Sequence, residues 1–161
     1  MMTRWLLPVT LLTVLAGCGS GGGAATAAPT KAVVKLSTQA NGTAQTIGDI
    51  TVTLNLPAGV SVKVKPDGSG QTADGVVVKS GAADAPNAVV IAKYSSATAT
   101  VDLQIVKSDG FNPGEFVTVT CDLAAAAAPG ATDFGTSSFS AFDLEGNSIT
   151  NLGISHTVEL K

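Results

Sequence analysis

Alternation of apolar and polar residues, repeated in separate stretches, is the feature that most constrains what this chain can fold into. Ile50, Val52, Leu54 and Leu56 alternate with Asp49, Thr51, Thr53 and Asn55. Val60, Val62 and Val64 alternate with Ser61, Lys63 and Lys65, and Ala99, Val101, Leu103 and Ile105 with Thr100, Asp102 and Gln104. Val117, Val119, Cys121 and Leu123 alternate with Phe116, Thr118, Thr120 and Asp122. Leu152, Ile154, Val158 and Leu160 alternate with Gly153, Ser155, Thr157 and Glu159. Successive side chains of a pleated strand point to opposite faces, so each run reads as a strand with one buried face. Shorter patterns near Val33–Leu36, Val76–Lys79, Ala88–Tyr94 and Ser138–Phe142 add candidate strands.

Turn chemistry separates the runs at short intervals. Asn41-Gly42, Pro66-Asp67-Gly68, Asp74-Gly75, Asp109-Gly110, Pro129-Gly130 and Glu145-Gly146-Asn147 all supply residues that tolerate a reversal of the backbone. Short strands with such punctuation predict an all-β antiparallel sandwich of about 8–9 strands. The one helix-favouring segment is Leu123–Ala128, but its alanines bury little and Pro129-Gly130 stops it. We read it as a surface connection.

The chain of 161 residues opens differently. Arg4 precedes an apolar run from Trp5 to Leu15, too short for a bilayer-spanning helix, which needs about 20 apolar residues. Charge, apolar run and small residues in that order predict a secretory signal over 1–17. The run ends in Leu15-Ala16-Gly17-Cys18, which resembles the bacterial lipobox. That resemblance implies cleavage before Cys18 and acylation of its thiol. Acyl chains bind membranes at about 0.8 kcal/mol per buried methylene, so they would anchor the protein to a membrane. With Gly19 rather than Asp next, the expected location is the bacterial cell envelope, at the outer membrane. Residues 18–31 hold the lipidated cysteine and a Gly/Ala-rich linker. About 12 such residues reach roughly 20 Å. The folded domain is expected over 32–161.

Loss of 1–17 removes Arg4, leaving eight lysines against twelve acidic residues and a formal charge of −4. Without a basic cluster, this composition argues against nucleic acid. Once Cys18 is lipidated, Cys121 is left alone and no intrachain disulfide can form. In phase with Val117 and Val119, it reads as a buried, inert thiol.

Chemistry-bearing residues are sparse. His156, the single histidine, falls in phase with Ile154 and Val158 and reads as a packed or edge residue. A catalytic base needs a nucleophile and an orienting carboxylate, and no G-x-S-x-G sequence is present. One His and one free Cys cannot make a zinc site, and no cofactor motif is seen. Asp143, Glu145 and Asn147 place oxygen donors at alternate positions around Gly146, like the first half of a calcium loop. Ile154 stands where such a loop would place its bidentate Glu, so the stretch reads as a plain turn, with a weak calcium site as the alternative. We expect no catalytic residue and no metal site.

Three stretches together resemble the cohesin domain, the β-sandwich receptor module of cellulosome scaffolds, and its wider carbohydrate-binding-like superfamily. They are Ile47–Val60 with its Gly48 start and Pro57 turn, Gly110–Val119 with its Gly-Phe turn, and Ser138–Ile149 with its Asp143–Asn147 turn. The resemblance implies a jelly-roll sandwich over nearly all of 32–161. It also implies recognition of a protein, dockerin-like partner through one sheet face, or of a polysaccharide. It assigns no binding residue here. Polysaccharide platforms stack sugars on exposed Trp or Tyr, and beyond the leader the chain offers only Tyr94. The expected function is therefore a non-catalytic, membrane-anchored binding module. The alternative is a structural envelope lipoprotein that adds a β-unit to a larger assembly.

Overall fold

The computed structural model describes residues 28–161. The expected signal peptide and Cys18 lie outside the described residues. Nine strands follow in order: β1 (Lys31–Ala40), β2 (Ile47–Asn55), β3 (Val60–Ser61), β4 (Val77–Lys79), β5 (Ala88–Ser95), β6 (Thr100–Phe111), β7 (Glu115–Leu123), β8 (Gly135–Phe142) and β9 (Leu152–Leu160). They form two antiparallel sheets. One runs β3-β7-β1-β9, with β4 also on β7; the other runs β5-β6-β2-β8.

The chain crosses between the sheets at almost every connection, and only β5 and β6 are both consecutive and paired. Each sheet therefore needs the other to bury its apolar face, and the core forms between them. Val34, Leu36, Val117 and Val119 from one sheet meet Ile50, Leu54, Val101 and Ile105 from the other, all at 2% exposure or less. The Ala124–Ala128 connection carries no helix.

Strict alternation fails at Phe116. The β1–β7 register passes from Leu36↔Val117 to Ser37↔Glu115, which leaves Phe116 as the extra residue of a bulge. Phe116 and Val117 consequently both point inward, each 1% exposed. The sequence pattern put Phe116 on the outer side; it is in fact the largest fully buried side chain.

The Val60–Lys65 run is also only partly a strand. After Ser61 the chain leaves the sheet and folds back on itself, with Lys65 N–H donating to Gln71 O (2.8 Å) and Ala73 N–H to Lys63 O (2.9 Å). This small hairpin then reaches the opposite sheet. Thr72 N–H donates to Ala92 O and Tyr94 N–H to Gly70 O. It covers the outer edge of β5, a site that would otherwise invite another strand.

Candidate binding face

The outer side of the β5-β6-β2-β8 sheet is a grid set by strand register. One row runs Val89, Val106, Asp49, Phe142; the next Ile91, Gln104, Thr51, Ser140; the next Lys93, Asp102, Thr53, Ser137. The polar half of the grid is tied together. Gln104 Nε2 donates to both oxygens of Asp49 (3.3 and 3.1 Å), and Thr53 Oγ1 donates to Asp102 (2.8 Å). Thr51 and Ser140 share a hydroxyl hydrogen bond of 2.6 Å. The apolar half is open: Val89 is 57% exposed, Ile91 50% and Val106 39%. Ile91 borders a shallow depression of about 330 Å³ floored by Thr51, Thr53 and Gln104.

A loop extends this apolar half at one corner. Leu144, 49% exposed, lies beside Val106 and Phe142 around a second shallow depression. The turn carrying it is closed by Asp143, whose carboxylate accepts from Glu145 N–H (3.0 Å), Asn147 N–H (2.8 Å) and Asn147 Nδ2 (3.0 Å). The Asn147 donors, and after them the Glu145 backbone, hold the Asp143 carboxyl below the usual carboxylate range. Asp143 thus spends both oxygens on its own turn. Two glycines let the turn sit close. A Cβ on Gly48 would lie 2.8 Å from the Asp143 carbonyl oxygen. One on Gly110, at φ +70°, would clash with Thr46 Cγ2 and lie 3.4 Å from Leu144 Cδ2.

The outer side of the other sheet is chemically different. Lys31 pairs with Asp122, and Lys35 Nζ lies 3.2 Å from Glu115. The Ser80 hydroxyl first, and Lys35 after it, hold the Glu115 carboxyl below its usual range. Ser155 and Thr157 complete that face on β9.

The other residues singled out in the sequence are dispersed. Cys121 is fully buried, and burial, with the Asp122 charge adding to it, pushes its thiol up to about 12. His156 lies half-buried on β9 opposite Leu36. Tyr94 pairs with buried Val101 and packs against the core, so the chain's single tyrosine is not an open stacking platform. The exposed apolar residues Val89, Ile91 and Val106 were not singled out from sequence. Only for Val106 was a signal present: continuing the Asp102, Gln104 phase places it on the solvent side.

No family model matches the chain, and no curated protein does. Among solved structures, one aligns with a TM-score of 0.51 at 15% identity, over 76% of this chain and 75% of that one. It is a non-cellulosomal cohesin from the hyperthermophilic archaeon Archaeoglobus fulgidus. A type II cohesin domain from the cellulosome of Acetivibrio cellulolyticus aligns with a TM-score of 0.50 at 15% identity, over 82% and 87%. The fold is cohesin-like. The expected all-β jelly-roll sandwich is therefore present, and it is shared at an identity that carries architecture rather than activity. Within this cohesin-like frame the two outer sheet faces are the broad, rigid surfaces on which recognition residues can be displayed.

Proposed function

We propose that this chain is a non-catalytic binding module, held at the bacterial cell envelope by acyl chains on Cys18, that docks a protein partner on the outer β5-β6-β2-β8 face. The observation that carries the reading is the open group Val89, Ile91, Val106 and Leu144 beside a hydrogen-bonded polar grid. Exposed large apolar residues clustered in one patch and rimmed by polar groups are the usual mark of a protein interface. A dockerin-like module is the partner type that the cohesin-like architecture suggests. Half-burial of Tyr94 favours protein over polysaccharide.

The geometry of the tether supports the same reading. Leu123 N–H donates to Thr30 O and Ala124 N–H to Gly59 O, so the start of β1 and the end of β2 share one end of the sandwich. Val106, Phe142 and Leu144 flank the start of β2, at the other end. An anchor entering through Thr30 leaves both sheet faces free and carries the apolar corner away from the membrane.

The test has two parts. The full chain expressed in a bacterial host should partition into membranes and carry an acyl mass at Cys18, and Cys18→Ser should release it. Secreted proteins from the same organism should then yield a saturable partner that is lost with Ile91→Asp and retained with Thr157→Asp on the opposite face. Equal binding by both variants would refute the face. A soluble, unacylated wild-type chain would refute the anchor.

A further inference from the structure

The β9 edge carries an inference that is independent of the docking face, since it belongs to the other sheet. Lys31 and Lys161 exchange both backbone hydrogen bonds (Lys31 N–H to Lys161 O and Lys161 N–H to Lys31 O, each 2.9 Å), and Asn41 N–H donates to Asn151 O (2.8 Å). In an antiparallel pair the bonded positions alternate. The odd-numbered residues of β9 therefore turn their backbone groups toward β1. Leu152, Ile154, His156, Val158 and Leu160 turn theirs outward. Among the described residues, none of these outward groups has a backbone partner.

Although the turn at Ala131–Asp133 and β8 lie near β9, neither forms a backbone hydrogen bond with this edge. β9 runs against β1 from Leu152 to Leu160 with no register shift, and it contains no proline. The other sheet guards its edges: the hairpin at 63–73 covers β5, and β8 is broken by a register shift and a positive φ at Ser138. A flat, unbulged edge strand is a template for another strand.

The sequence of β9 says which strand. In Leu-Gly-Ile-Ser-His-Thr-Val-Glu-Leu three of the four positions on each side of His156 match in chemical type (Ser with Thr, Ile with Val, Leu with Leu), and only Gly153 and Glu159 differ. We propose that a second copy of this chain pairs with the first through β9, antiparallel about a two-fold axis at His156, joining the two sheets into one. In that register Leu152 meets Leu160 of the other copy, Ile154 meets Val158, and His156 meets its own counterpart. These are the outward-turned residues, so every free N–H and C=O of the strand gains a partner. On the outer face Ser155 meets Thr157 and Glu159 meets Gly153, with no like charges opposed. A shift of two residues in either direction would leave one end unpaired and set His156 against an aliphatic side chain. The symmetric match also makes the contact isologous, closing at two copies.

Because one strand of nine residues spans only about 30 Å, the interface falls short of the roughly 1,200 Å² of a stable complex. The dimer is weak in dilute solution and favoured where copies are crowded, as on a membrane. The test is a disulfide trap in the full-length protein in its host membranes. Ser155 and Thr157 of opposing copies would form non-hydrogen-bonded pairs with Cα atoms near 4.5 Å, within disulfide reach. S155C/T157C should give a covalent dimer under mild oxidation, well above the wild type, whose Cys18 is acylated in the proposed anchor and whose Cys121 is buried. Single S155C should not. Adding Val158→Pro removes an outward N–H without touching the β1 ladder and should cut the dimer at least ten-fold. Adding His156→Lys opposes two charges on the axis and should do the same. Absence of a dimer with S155C/T157C overturns the proposal, as does a dimer that survives both added substitutions.

Discussion

The two outer faces of the sandwich start from the same alternation and end as different surfaces. On the β1–β7–β9 side, outward positions hold mainly lysines, acids, serine and threonine, with Val33 half-buried among them and Val78 of β4 exposed beyond β7, and the charges pair within the sheet, Lys31 with Asp122 and Lys35 with Glu115. On the β5-β6-β2-β8 side the polar residues bond to one another, and three β-branched aliphatics face water beside them. Self-satisfied ion pairs give a partner little to gain. Exposed aliphatics do the reverse, since their removal from water is worth about 25 cal/mol per Å² whichever protein covers them. The contrast shows that a face is identified by where the solvent phase of a strand breaks its own rule.

Several substitutions can break or sharpen this contrast. The largest effect belongs to neither outer face. Phe116→Ala, at the inward bulge, should cost about 3–5 kcal/mol of stability, read as a lowered unfolding midpoint, while Ile91→Ala on the surface should stay within about 0.5 kcal/mol. If Ile91→Ala destabilises comparably, the aliphatics are structural and the docking face is wrong. Next comes Ile91→Asp, which should weaken partner binding about 30-fold, near 2 kcal/mol, with an unchanged midpoint. Titration calorimetry against Thr157→Asp supplies the control.

Gly110→Ala should cost about 1–2 kcal/mol from its left-handed backbone alone, and contact with Thr46 should shift the Leu144 turn. Its partner affinity should fall with its stability. Loss of stability alone would place Leu144 outside the contact.

The smallest effect probes the ion-paired face. Glu115 titrates lower in the folded chain than in the unfolded one. Its contribution is therefore complete above the ordinary glutamate range and is lost as pH falls through the depressed folded value. Urea midpoints measured down that acid range should show this loss in the wild type and a smaller one in Glu115→Gln. At neutral pH the pair is worth about 0–1 kcal/mol, as exposed pairs are. An identical acid profile in the two proteins would show that the face is held by its backbone ladder alone.

Much of this was legible in the sequence because strands announce themselves locally. Period two along Ile50–Leu56 or Ala99–Ile105 needs no knowledge of the partner strand, and Asn-Gly or Pro-Asp-Gly turns act over four residues. Phe116 was not legible, since a bulge is defined by what lies across the ladder, here Leu36 and Ser37. The same holds for Ile91. Val89, Val90 and Ile91 are consecutive and β-branched, so the sequence does not say which of them faces water, and pairing with Val106, Ile105 and Gln104 decides it. Tyr94 turned inward for the same reason, through Val101.

By itself, then, the sequence determined that this chain makes short strands, two-sided and joined by tight turns, with a core of aliphatics and no disulfide within the domain. The strands and the turns reside in neighbouring residues, and burial rewards the apolar sides wherever the strands land. Only the tertiary structure decided which sheet each strand joined, which edges were left open and which aliphatics stayed in water. Those outcomes depend on contacts between residues far apart in the chain: Gly110 beneath Leu144, the 63–73 hairpin across β5, and β9 closing against β1 with its other side unpaired.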